Sequence, residues 1–110
     1  MIVEHIKSTT VITQEKVTLA ELVTRLNDIY DELKSNNIII NLFSLNSIKA
    51  ADLNEFLLIS EKHKAAKHSF VLVTNKISFD DIPEELSVTP TLVEAHDIIE
   101  MEEIERDLGF

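Results

Sequence analysis

Two short stretches constrain this chain more than anything else in it: Ile38-Ile39-Ile40-Asn41-Leu42-Phe43 and Ser69-Phe70-Val71-Leu72-Val73-Thr74. A strand with one wet face alternates apolar and polar residues, whereas a strand covered on both faces, as in a parallel sheet, reads as a nearly continuous β-branched run. Both stretches are of the second kind, with Asn41 the one misfit. Between them, residues 48 to 67 predict a helix with Leu53, Phe56, Leu57, Ser60 and His63 turned inward. Strand, helix and strand make one crossover unit, whose hand is expected to be right.

The flanking sequence extends this unit. Ile2-Val3-Glu4-His5-Ile6 and Thr9-Thr10-Val11-Ile12-Thr13, separated by Lys7-Ser8, predict a hairpin. Thr18-Leu19-Ala20-Glu21 fits a capping box, in which a Thr hydroxyl and a Glu carboxylate satisfy free backbone donors of a first helical turn. Behind it Leu19, Leu22, Val23, Leu26, Ile29, Tyr30 and Leu33 recur at helical spacing up to Ser35-Asn36-Asn37. Residues 77 to 86, with Pro83, predict a loop or one irregular helical turn before a very short strand at Ser87-Val88. Pro90 and Thr91-Leu92-Val93-Glu94 start a last helix, running to about Leu108 with Leu92, Ala95, Ile98, Ile99 and Met101 inward, and Gly109 closes it. The expected fold is α/β: a mostly parallel sheet of four or five strands, with an N-terminal β-hairpin and helices packed on it. At 110 residues, 1–110 is expected to form a single domain.

Composition removes several function classes. The net charge of −10 opposes binding to a phosphate backbone, so no direct nucleic-acid partner is expected. Cysteine is absent, which excludes disulfides and thiol nucleophiles and fits a reducing, cytoplasmic setting. Glu4 stands where a signal peptide would carry basic residues, and the densest apolar run is too short to span a bilayer, so no membrane insertion is expected. Glycine occurs once, at Gly109, which leaves no phosphate-cradling loop, dinucleotide fingerprint or nucleophile elbow. His5, His63, His68 and His96 form no pairing that presents two imidazoles to one metal, so neither a metal site nor a cofactor is expected. His63-Lys64-Ala65-Ala66-Lys67-His68 reads as a basic helix end complementing the macrodipole, and Glu100 to Asp107 as a hydrated acidic face or a docking strip for a basic partner.

Ile39-Ile40-Asn41-Leu42, Ile48-Lys49-Ala50-Ala51-Asp52-Leu53 and Thr91-Leu92-Val93-Glu94-Ala95, in this element order, resemble the STAS domain of bacterial anti-sigma factor antagonists. In that family a buried strand leads through a loop into an Asp-Ser-Ser-Gly-Leu pattern at a helix start. A serine of the pattern accepts phosphate and switches partner binding. Here Lys49 stands at the Asp position, Ala50 and Ala51 at the two Ser positions and Asp52 at the Gly position. The resemblance therefore implies a non-catalytic module that binds a protein partner, an anti-sigma-type or other regulator, without the serine switch. It carries Asn46, Ser47, Lys49, Ala50, Ala51 and Asp52 over as the candidate partner surface, against the plainer reading of an ordinary helix start.

The stretch from Ile98 to Phe110 also resembles short bacterial proteins that carry the label ribonuclease Z. The His-x-His-x-Asp-His motif of such two-zinc nucleases is missing from the sequence. This leaves an accessory partner of such a nuclease, or a ligand-sensing regulatory domain, as the alternatives. A small hydrolase or nuclease would need a cluster that these residues do not supply.

Overall fold

The computed structural model describes residues 2–13, 18–45 and 48–109. Two strands, β1 (Ile2–Ile6) and β2 (Thr9–Thr13), form the antiparallel hairpin. Lys7 between them takes a left-handed φ of 55°, as a tight two-residue reversal demands. Next come α1 (Leu19–Leu33), β3 (Asn37–Asn41), a 3-10 segment (Ala50–Phe56) leading into α2 (Leu57–Ala65), and β4 (Phe70–Val73). A short 3-10 turn (Phe79–Asp81), β5 (Ser87–Thr89) and α3 (Leu92–Asp107) complete the order. The sheet has five strands in the order β1-β2-β3-β4-β5, and every pairing after the hairpin is parallel. This is the α/β architecture the sequence implies, with β1 as the antiparallel edge.

Both faces of β3 and β4 are covered, and this explains their unbroken apolar runs. On one face Ile12, Ile38, Ile40, Phe70 and Leu72 pack against Leu22, Leu26, Tyr30 and Leu33 of α1 and against Leu53, Phe56 and Ile59. On the other face Val11, Ile39, Val71 and Val73 meet Ala95 and Ile99 of α3. The two covers are unequal: α1 and α2 share the first face, and α3 alone serves the second. Thr18 and Thr91 cap their helices, each hydroxyl accepting the backbone N–H of the glutamate three residues on at 3.2 Å, which is the hydroxyl half of the expected capping box.

Four expectations are corrected. The run from Ile38 is strand only to Asn41, because the Asn41 side chain accepts the Phe43 N–H at 3.1 Å and turns the chain, leaving Leu42 buried and Phe43 outward. The helix over 48–67 is 3-10 for its first seven residues. Tighter winding sets residues three apart on one line, and Leu53 and Phe56 are both completely buried on that line. In α3, Met101 and Leu92 are exposed rather than inward. A single helix on a sheet buries only a narrow stripe, here centred on Ala95 and Ile99.

The fourth correction concerns the basic helix end. His63 is fully buried, as its inward place in the helix pattern implied, and is not a surface cation. Its Nε2 donates to the Asn36 carbonyl at 2.7 Å, and its Nδ1 accepts from the Tyr30 hydroxyl at 2.8 Å. Burial pushes the imidazole below its ordinary range, with smaller contributions in the same direction from His68 and Arg106, against the opposing hydrogen bond to Asn36. Lys62 and Lys64 remain the charges of that last turn.

Candidate functional site

In an open parallel sheet the loops that leave the carboxyl ends of the strands gather along one rim, and ligand and partner sites usually lie there. Here that rim carries the segment after β3, which holds Lys49, Ala50, Ala51 and Asp52, and the segment after β4, which holds Thr74 and Lys76. The parallel register pairs Asn41 with Val73, so the two exits lie side by side. Leu42 N–H donates to the Val73 carbonyl at 2.8 Å, and the Lys76 ammonium sits 5.9 Å from the Phe43 ring centroid.

The helix start is anchored from beneath by Ile48, Leu53 and Phe56, all buried, which leaves Lys49 and Ala51 exposed and Ala50 and Asp52 half-buried. The Asp52 carboxylate accepts the Lys49 N–H at 2.8 Å, and the Asp52 N–H donates to the Lys49 carbonyl at 2.9 Å. Asp52 thus works as a local cap that sets the direction of the 3-10 segment, and its charge lies where a helix start favours an anion. Asn46 and Ser47, the other two residues expected on this surface, lie outside the described residues.

Several exposed residues of the same rim and its surroundings are absent from the expected set. Phe43 is 48% exposed, and Leu58 and Phe79 more so. The signal for Phe43 was present as Asn41, a turn former that breaks an otherwise apolar run. Phe79 stands beside Asp80 and Asp81 in a stretch whose turn-rich composition already opposed burial.

Among the described residues no three His, Cys, Asp or Glu side chains group as a metal site, and no helix is long and apolar enough to cross a membrane. At the opposite rim, Arg106 donates to Ser69 Oγ at 3.2 Å and to Asn37 Oδ1 at 3.3 Å, while Asn37 Oδ1 also accepts the Ser69 N–H at 2.9 Å. These bonds fasten the end of α3 to the strands it covers.

No family model and no curated protein matches the sequence. Among solved structures, that of RsbS from Moorella thermoacetica, in a serine-to-glutamate variant, is similar with a TM-score of 0.68 at 11% identity, over 91% of this chain and 94% of that one. RsbS is a STAS-domain anti-sigma factor antagonist. The five strands, the leading hairpin and the three helices of this chain have the fold of the STAS domain.

Proposed function

We propose that the chain is a non-catalytic, cytoplasmic protein-interaction module of the anti-sigma factor antagonist type, which holds its partner at the rim that carries residues 48–52. Lys49, Ala50, Ala51 and Asp52 are the contact residues, with Asn46 and Ser47 beside them in sequence and Phe43 and Lys76 extending the surface. The observation that carries this reading is the exposed helix start itself. It occupies the place where the family resemblance puts a phosphate-accepting serine, and Ala50 and Ala51 stand there instead. Phosphorylation adds about 1.5 to 2 negative charges and works by creating or breaking charge-assisted contacts. Alanine offers no oxygen for it, so the surface binds constitutively.

The deciding experiment is affinity purification from the native cell with wild type, Lys49→Glu and Asp52→Lys, alongside phosphosite mapping of the isolated protein. Loss of the same partner with either variant, and no phosphate on this segment, is the expected result. Unchanged capture by both variants removes the rim as the interface. Stoichiometric phosphate on Ser47 removes the constitutive reading.

A further inference from the structure

The outer face of α3 carries an exposed apolar stripe. Val93, Met101, Ile104 and Leu108 are all more than half exposed, at 71%, 59%, 57% and 66%. At about 100° per residue they fall within one arc of about 80°, directly opposite Ala95 and Ile99, which face the sheet. A single exposed apolar side chain is ordinary, but four aligned along one helix form an unpartnered seam.

The seam has acidic borders. On the same helical projection Glu100 and Asp107 run along one side of it, Glu94 and Glu105 along the other, and Asp97 sits in the middle, all of them exposed. The only permanent cation of the helix, Arg106, is turned away to Ser69 and Asn37. Lys7 shares a cleft with Glu100, and Lys67 shares clefts with Asp107 and Glu105, but among the described residues none of these carboxylates is in an ion pair. The seam is thus bordered by unpaired acidic charge, and this pattern selects the occupant. A second copy of the chain would set one acidic border against another with −10 net charge on each molecule. An anionic bilayer is repelled for the same reason.

We propose that α3 docks a basic amphipathic helix of a protein partner. Apolar side chains of that helix pack along Val93, Met101, Ile104 and Leu108, Lys or Arg residues line its edges, and one cation faces Asp97. The mode is the familiar one of an apolar helical face with complementary charged flanks. The surface lies on the second face of the sheet, away from the helix start at residues 48–52, which packs with the first face.

The test uses synthetic peptides of about 18 residues, long enough to hold a helix when bound. One carries a leucine seam with Lys and Arg flanks, a second the same composition scrambled, and a third Glu in place of the basic flanks. Binding is read by calorimetry and the site by amide hydrogen exchange. The expected result is one-to-one binding of the first peptide only, with added protection confined to α3. Met101→Ser/Ile104→Ser and, separately, Asp97→Lys should each weaken it by about tenfold or more, as loss of central contacts does, while Lys49→Glu leaves it unchanged. All three altered residues are exposed, and an unchanged far-ultraviolet spectrum confirms that the variants are folded. Equal binding of the scrambled or acidic peptide, or no effect of the α3 variants, overturns the proposal. So does self-association in sedimentation that the Met101→Ser/Ile104→Ser variant abolishes, because the occupant is then a second copy.

Discussion

Replacing Tyr30 by Phe deletes one oxygen and nothing else. The ring keeps its edge-on packing against the His63 imidazole, 5.5 Å between centroids, and its place under the Lys62 ammonium, 4.4 Å above. What disappears is the 2.8 Å bond from the phenol to His63 Nδ1. Burial, and less strongly the charge of Asp31, push that phenol above its ordinary range, so it is a secure donor. The imidazole has no solvent exposure, and its other nitrogen is held by the Asn36 carbonyl. The deleted donor thus leaves a desolvated acceptor unpaired, which costs about 1 to 3 kcal/mol. In urea unfolding near neutral pH the midpoint should fall without a change in slope, and the melting temperature should drop by roughly 4 to 8 °C for each kcal/mol in a domain of this size. A double-mutant cycle locates the effect. With His63→Leu already present no acceptor awaits the phenol, and Tyr30→Phe should then be nearly neutral. A cost for Tyr30→Phe that stays the same in both backgrounds, within about 0.5 kcal/mol, refutes the assignment of the energy to this bond.

The same imidazole sets a pH dependence. Its folded pKa lies below the ordinary 6.5, so above that pH both folded and unfolded states hold it neutral and its contribution is complete. As pH falls below 6.5 the unfolded chain takes a proton that the folded chain refuses, and stability declines until the folded pKa is reached. Denaturant midpoints measured across this window should fall for the wild type, and the difference between wild type and His63→Leu should carry the slope; a pH-independent difference refutes the buried neutral imidazole. Ile40→Asp places a carboxylate at a position with no exposure, between β2 and β4 in the sheet, and should cost several kcal/mol or raise the pKa of the new side chain strongly. Unchanged thermal stability would show that Ile40 is not in the core.

Much of the fold was legible because the strongest signals in the chain are local and agree with one another. Ile38 to Ile40 and Phe70 to Val73 declare burial on two faces, Thr18 and Thr91 mark helix starts, and Lys7-Ser8 separates two β-rich pieces. In α3 the misreading arises because residue type reports hydrophobicity and not the size of the surface available to receive it. Met101 and Leu92 have the right character for a core, but one helix lying across β3, β4 and β5 offers too narrow a stripe to take them. The 3-10 start of the second helix depends on where Leu53 and Phe56 must point, a demand set by α1 and the sheet. At the candidate site the positions of Lys49 to Asp52 were legible, and the company they keep was not. Phe43 and Lys76 meet because the register of β3 and β4 brings their exits together, and no pattern within either segment announces a neighbour so distant in sequence.

The unequal covering of the sheet has a consequence for how the molecule comes into being. Strands β2, β3 and β4 pair with sequence neighbours through α1 and α2, so one half of the core closes progressively as the chain leaves the ribosome. The other half cannot do so. Val11, Ile39, Val71 and Val73 wait on Ala95 and Ile99 of the last helix, and they form a bare apolar sheet face until α3 has been made. A nascent chain stalled before Leu92 has a nearly finished core on one side of the sheet and an adhesive surface on the other, so the interval in which this sheet most needs a chaperone lasts until α3 has been made.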